Sequence, residues 1–254
     1  MLGFNGGLMG VRKVPTTGAA PGMWSPNEQS VAQRAGIWPE VQIGDPYFAN
    51  VSLLLHMDGT NGSTTFTDSS SNGFTVTANG NAEVATANPK FGSGSLALDG
   101  SYDYLTPPAN NAFQLGTGDF TVECWVYVNS GNSNNGLFTF GATSSGLAVA
   151  INGGGWQLTT DGLGGYGMGA VTLSTWQHLA VTRSGSSLRM FIDGAQIGTT
   201  LSNSKDLSDN ALKIGYYYDP LYSLSGLVDE FRVTKGISRY NANFTPPTAP
   251  FPNA

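Results

Sequence analysis

Four tyrosines crowd one turn-rich stretch: Tyr216, Tyr217 and Tyr218 run together, Asp219 and Pro220 follow, and Tyr222 closes the group. Such residues suit a carbohydrate ligand. Sugars present apolar C–H faces to aromatic rings, whose polar tips stay free to hydrogen-bond, while carboxylates and amides read the hydroxyls. Two more aromatics sit among glycines, Trp156 after Gly153-Gly154-Gly155 and Tyr166 within DGLGGYGMG at 161–169. Loops run over the surface, so these rings are expected to be exposed, and exposed rings cost solubility unless something covers them. Tyrosine and tryptophan also favour protein interfaces. The residues alone therefore leave two readings open for Trp156, Tyr166, Tyr216, Tyr217, Tyr218, Asp219 and Tyr222: a saccharide site or a subunit contact.

Hydrolytic chemistry has less to draw on. Glycosidic cleavage needs two carboxyl groups about 5–10 Å apart across the bond, expected on a strand as acids an even number of residues apart. The glutamates are Glu28, Glu40, Glu83, Glu123 and Glu230, and none shares a strand with another acid at that spacing. Asp229 and Glu230 are adjacent and so point to opposite faces. The only histidines are His56 and His178, each read as a hydrogen-bonded structural residue, and no serine has the setting of a nucleophile elbow. The single cysteine, Cys124, lies in an apolar strand; it reads as an inert buried thiol and excludes an internal disulfide. No enzymatic activity is expected.

The elements that must position these residues read as strands. In GDFTVECWVYV (118–128), Phe120, Val122, Cys124, Val126 and Val128 alternate with Thr121, Glu123, Trp125 and Tyr127, a period of two. WQHLAVTRSGSSLRMFIDGAQIG (176–198) reads as a three-stranded meander turning at Ser184-Gly185-Ser186 and at Asp193-Gly194; the second pair suits the positive φ of a tight hairpin. Trp125 and Trp176, inside strands, read as core. Further short runs lie near 51–57, 73–77, 95–99, 102–106, 136–141, 146–151, 155–160, 169–173, 196–200, 211–215 and 226–234. Short strands with turn residues between them predict an all-β, two-sheet antiparallel sandwich.

Composition agrees with this. The 254 residues include 35 glycines, and only 11% are charged. Net charge is −6 with 11 Lys and Arg, so nucleic acid finds no basic footprint. No apolar run reaches the length of a membrane span, and the start, MLGFNGGLMGVRKV, lacks an apolar core of signal-peptide length. Synthesis in a cytoplasm without export is the expectation.

The ends differ from the middle. Residues 1–50 scatter glycine, proline and isolated apolar residues, with one short helix expected after Ser25-Pro26-Asn27-Glu28 and stopped at Gly36. This mostly irregular arm carries Phe4, Leu8, Met9, Trp24, Ile37 and Trp38 without enough chain to bury them, and is expected to dock into another subunit or pack on the sandwich. Pro246, Pro247, Pro250 and Pro252 make the C-terminus an extended strap or a free tail, since proline cannot serve a central strand.

In order, LLLHMDG (53–59), KFGSGSLALDGSYDYL (90–105), GDFTVECWVYV, WQHLAVTRSGSSLRMFIDG and GLVDEFRV resemble the concanavalin A-like, laminin-G/pentraxin-like jelly roll over about residues 51–236. The resemblance implies two curved sheets of six or seven strands whose concave face or loop rim binds glycan. It also raises calcium, which such relatives hold on loop carboxylates and carbonyls. The pentraxin-type double site is not expected here, because the loop after ALKIG offers only Asp219 and the TSSG hairpin offers no acid. A structural calcium joining the first strand to the last would use Asp58 and Asp229. Otherwise Asp58 is a turn residue before Gly59, and Asp229 an ion-pair partner of Arg232 or Arg183.

Residues 7–39 resemble the opening of virion proteins in marine tailed bacteriophages, and GISRYNANFTPPTAPFP (236–252) the closing segment of phage tail and capsid-surface jelly rolls. The implied organisation is an anchoring arm (1–50), a jelly roll (51–236) and a proline-rich strap (237–254). The implied function is a virion structural protein, made in the host cytoplasm and homo-oligomeric on the particle. Its arm would meet other virion proteins and its jelly roll would bind host surface glycan. The alternative is a capsid or tail decoration protein that uses the jelly roll for protein contacts.

Overall fold

The computed structural model describes residues 44–131, 135–141, 146–160 and 163–254. Phe4, Leu8, Met9, Trp24, Ile37 and Trp38, with the helix expected after Ser25, lie outside the described residues. The strands are β1 (Val51–Leu55), β2 (Phe66–Thr67), β3 (Thr75–Asn79), β4 (Glu83–Ala85), β5 (Ser95–Asp99), β6 (Tyr104–Thr106), β7 (Phe120–Val128) and β8 (Asn135–Phe140). They continue with β9 (Leu147–Asn152), β10 (Gly155–Thr160), β11 (Leu163–Ala170), β12 (Trp176–Ser184), β13 (Ser187–Ile192), β14 (Ala195–Ser202), β15 (Leu212–Ile214) and β16 (Ser225–Lys235).

These strands make a two-sheet antiparallel jelly-roll sandwich. The first sheet runs β14-β13-β12-β7-β16-β5-β4 with β1 also paired to β16; the second runs β11-β10-β9-β8-β15-β6-β3-β2. Each sheet is eight-stranded, where six or seven were expected. The sequence reading missed β2 and β4, which are too short to show a period of two.

Alternation in β7 works as expected on its inner side. Phe120, Val122, Cys124, Val126 and Val128 join one core cluster with Phe138, Val149, Ile151 and Leu158 of the second sheet. Phe138 meets Phe231 edge to face at 5.9 Å. Each such side chain contributes about 1.5–3 kcal/mol by leaving water. Burial also pushes the Cys124 thiol well above its ordinary range, so it is inert.

The other side of the first sheet is buried too, which alternation alone does not anticipate. Thr121, Glu123 and His178 are buried because the chain's C-terminus lies across them as an extended strap, and Trp125 is buried beneath Phe91 and Lys90. Thr121 Oγ1 donates to the Ile237 carbonyl and accepts from Arg239 N, and Thr182 Oγ1 donates to the Tyr240 carbonyl. Phe244 N donates to the Gly194 carbonyl, at the hairpin where Asp193 and Gly194 have φ +49 and +76. A Cβ on Gly194 would collide with the Phe244 carbonyl, so that turn needs glycine twice over. Trp125 therefore lies outside the inter-sheet core, with Lys90 Nζ 3.8 Å from its ring centroid.

Ion pairs fasten both ends of the described sandwich to this face. Arg232 donates to Glu123 at 2.8 and 3.0 Å and to Asp45 at 3.0 Å, while Arg239 reaches Asp45 at 2.6 and 3.0 Å. Tyr240 Oη donates to Glu123 at 2.8 Å. Burial opposes ionising Glu123, yet Arg232, His178 and Arg239 hold its carboxyl far below the usual range. Asp45 follows the same logic, desolvation being outweighed by Arg239, the Tyr47 amide and Arg232.

Candidate functional site

The tyrosine loop between β15 and β16 folds down onto the outer face of the second sheet. On β9, Leu147, Val149 and Ile151 enter the core, so Ala148 and Ala150 face outward, where Tyr217 packs on them. The Tyr217 hydroxyl lies 3.0 Å from Thr159 Oγ1 of β10. Thr139 Oγ1 of β8 lies 2.9 Å from the carbonyl oxygens of both Tyr216 and Tyr217. Beneath them runs Gly136, where a Cβ would sit 2.2 Å from the Tyr216 carbonyl carbon, so the loop seats this deeply only over glycine.

Anchoring Tyr217 leaves its neighbours on show. Tyr218 is 48% exposed, with its ring centroid 4.8 Å from that of Tyr217 and 4.7 Å from that of Tyr222. A hydrogen bond to Tyr222, with burial adding to it, leaves the Tyr218 phenol pushed up to about 12, so it is neutral at ordinary pH. Asp219 caps the 3-10 turn Pro220–Tyr222 by accepting from Leu221 N at 2.9 Å. Tyr216 packs edge-on against Tyr104 at 5.2 Å. The result is a ridge of phenols above a floor of small and neutral polar residues.

Two predicted site residues do not join it. Trp156 is 1% exposed and belongs to the core. The β9–β10 hairpin turns at Gly153 and Gly154, with φ +61 and +79, so Trp156 is already inside a strand and on its inward side. Tyr166 is on β11, opposite Leu158, and packs half-buried against the core. The glycine-rich run expected as a surface loop is thus largely an edge strand, held by pairing to β10 rather than by its own propensity. Gly165 and Gly167 take outward positions on it. The Gln157 side chain lies over Gly165, and the Cβ direction of Gly167 is open.

Sequence reasoning missed Thr139, Thr159 and Gln157, which support or border the ridge. The signal was present as small or polar residues alternating with apolar ones in LAVAIN and WQLTT.

Asp58 and Asp229 both grip the segment 90–93. Asp58 accepts from Ser93 N and Oγ. Asp229 accepts from Lys90 N, Phe91 N and Glu230 N at 2.9, 3.0 and 2.8 Å. The first half of β16 pairs with β5 and the second with β1; Asp229 stands at the change of partner and satisfies the stranded N–H groups there. Neither expected arginine pairs with it: Arg232 binds Glu123 and Asp45, and Arg183 donates to the Gly116, Gly118 and Lys205 carbonyls. Burial leaves the Asp229 carboxyl pushed up to about 7. These oxygens face N–H donors and clamp the loop. Among the described residues, no group of three or more His, Cys, Asp or Glu is placed to hold a metal.

An acid pair unseen in the sequence lines a cleft of about 600 Å³ with Glu83 and Asn81. Asp99 and Asp103 hydrogen-bond each other, and Asp103 also accepts from Asn81 N and Asp99 N at 2.5 and 2.8 Å. Burial raises Asp103, whereas the Asn81 amide lowers Asp99. Carboxyls in direct contact leave no room for a glycosidic bond between them, and this pair ties the 99–103 turn to Asn81.

A family model described as the concanavalin A-like lectin/glucanases superfamily matches residues 99–237. No curated protein matches the chain. Similar solved structures include the receptor binding domain of botulinum neurotoxin C/D mosaic serotype, at TM-score 0.56 and 16% identity over 75% of this chain and 49% of that one. Another is Trypanosoma rangeli sialidase in complex with 2,3-difluorosialic acid, at 0.57 and 13%, over 75% and 31% of the two chains. A third is domain 4 of an extracellular arabinanase from Geobacillus stearothermophilus in complex with arabinotriose, at 0.53 and 18%, over 74% and 94%. At such identities the likeness concerns the fold alone. This chain spans about half the length of the neurotoxin domain, 49%.

Proposed function

Because the chain belongs to the concanavalin A-like lectin/glucanases superfamily, we propose that its jelly roll binds saccharide on the tyrosine ridge and does not cleave it. The observation that carries this is the pair Tyr218 and Tyr222, 4.7 Å apart, propped by a buried Tyr217. A ring held in place from below loses little freedom on binding, and its open face suits the C–H surface of a pyranose. The arabinotriose held by the arabinanase domain supports a saccharide role for this kind of scaffold. Absence of cleavage is supported by the acid pairs described above, which clamp backbone instead of flanking a bond.

The finer reading is a bacteriophage virion protein, supported by the resemblances of residues 7–39 and 236–252. The arm, through Phe4, Leu8, Met9, Trp24, Ile37 and Trp38, would join other virion proteins. The jelly roll would then bind host surface glycan weakly, many copies supplying avidity. A glycan array probed with the whole chain and with Tyr218→Ala tests the ligand; no saccharide above background, or no effect of the substitution, overturns it. Deleting residues 1–50 tests the anchor, since retention on particles after that deletion contradicts it.

One observation favours the decoration reading. Leu221 and Tyr102 are 51% and 52% exposed, and Tyr102 N donates to the Pro220 carbonyl, which places both beside the ridge. An aliphatic side chain there suits a protein neighbour better than a sugar. Cross-linking on assembled particles at Leu221 distinguishes the two.

A further inference from the structure

Resting on the saccharide reading above, we infer that Lys213 makes this face selective for acidic sugars, its ammonium meeting a carboxylate or sulfate of the ligand beside Tyr216. Lys213 lies on β15 directly opposite Thr139, whose hydroxyl seats the tyrosine loop. Its flanking residues Leu212 and Ile214 enter the core, so Lys213 faces outward on the sheet that carries the ridge. Its Nζ stands 3.9 Å from the Tyr216 ring centroid and 5.5 Å from that of Tyr104.

Two electron-rich faces hold the ammonium in place and shield part of it from water. They accept none of its three N–H donors in the way an oxygen would. Among the described residues it meets no carboxylate, unlike Arg232 and Arg239, which are paired on the opposite side of the sandwich. Lys90 is held over Trp125 in the same way on the first sheet; Lys213 places such a cation beside the ridge, in a chain of net charge −6.

The residues packed around it are mostly neutral. Thr139 and Thr159 are neutral. Asp219 is the acid of the loop; its Oδ1 accepts from Leu221 N, and its charge acts on the Tyr216 and Tyr218 phenols, so Lys213 also balances it. Asp209 lies beside Gly141, past the end of β8. A saccharide stacked on Tyr218 and Tyr222 would extend along the ridge toward Tyr216, bringing an anionic substituent to the Lys213 ammonium. A charged hydrogen bond of this kind corresponds to about tenfold in affinity, and it weakens with salt.

The test is isothermal titration of the whole chain with oligosaccharides matched in length: neutral galactan, oligogalacturonate and sulfated galactan. The expected result is about tenfold tighter binding of an acidic oligomer over the neutral one at low salt. Lys213→Gln should bring the acidic oligomer down to the neutral affinity, and Lys213→Arg should keep the preference, with thermal melts checking that each variant folds. The galacturonate and sulfate arms identify which anion is read. Equal binding of all three by the wild type, or a preference that survives Lys213→Gln, overturns this inference and leaves the saccharide reading standing. Binding of none of them, with none found on a broader array, overturns both.

Discussion

The phenol of Tyr217 and the hydroxyl of Thr159 meet at 3.0 Å on the outer face of the second sheet, 58 residues apart in sequence. This contact converts a flexible tyrosine-rich loop into a fixed ridge. Tyr217→Phe leaves Thr159 without that partner, so stability should fall by about 1 kcal/mol in chemical denaturation. Tyr218→Ala removes a half-exposed ring and its contact with Tyr222, so it should shift the midpoint less than Tyr217→Phe does and weaken saccharide binding about tenfold. Equal stability losses for the two variants would contradict the division of labour.

Gly136 sets the height of the loop. Gly136→Ala places a methyl group 2.2 Å from the Tyr216 carbonyl carbon, and relieving that overlap costs about 1–3 kcal/mol. The loop should lift, and the changed tyrosine environment should appear in near-ultraviolet circular dichroism while far-ultraviolet spectra keep their β-sheet form.

Arg232 is the centre of the strap's attachment, paired with Glu123 and Asp45 and lying 3.8 Å from the Phe251 ring centroid. Arg232→Met removes the cation shared by two buried carboxylates, leaving Asp45 to Arg239 and Glu123 chiefly to the Tyr240 hydroxyl. A loss of about 3–5 kcal/mol is expected, with earlier proteolysis of the C-terminal segment. A loss below 1 kcal/mol, roughly the value of a surface pair, would show that the strap is held by its aromatics instead.

The pH dependence follows from four groups. His56 is raised by its hydrogen bond to Glu230, against burial, with Asn253 adding to the effect. Stability from this latch is complete below the unfolded imidazole value and is lost as pH rises through the folded one. Asp229, pushed up to about 7 by burial, acts in the same sense: its neutral form is favoured, and that contribution disappears as pH climbs from the ordinary carboxylate range to about 7. Glu123 and Asp45 are lowered, so theirs is present above the unfolded value and lost only in acid. The melting temperature should peak near about pH 5 and decline toward about pH 8. His56→Gln should flatten the alkaline side.

Calcium at Asp58 and Asp229 is a separate test. With both carboxylates turned to the N–H groups of residues 90–93, millimolar calcium or a chelator should leave the melting temperature unchanged. A calcium-dependent rise that Asp58→Asn abolishes would establish the ion.

Much of the sandwich was legible because β-strands announce themselves locally. The alternation from Phe120 to Val128, and the Asp193-Gly194 pair, need only neighbouring residues to be read. The glycine-rich strand β11 was not legible, since glycine carries no strand preference and β10 supplies the pairing. Trp156 was misplaced for a related reason. Three glycines looked like a loop, whereas two form the turn and the third already belongs to the strand. The tyrosine cluster itself was visible as a crowd of phenols. Its supports were not, because Thr139, Ala148, Ala150 and Thr159 come from three other strands.

By itself, then, the sequence determined the two-sheet architecture, the inert cysteine and the concentration of phenols at 216–222, all of which rest on short-range pattern and side-chain type. Only the tertiary structure decided which of those phenols is anchored and which is presented. It also decided that the second face of the first sheet lies under the chain's own C-terminus, and that Lys213 stands over the Tyr216 ring beside Tyr104. Each of these depends on residues far apart in the chain arriving at one place, and such long-range juxtaposition is set by packing and pairing across strands, which no local period encodes.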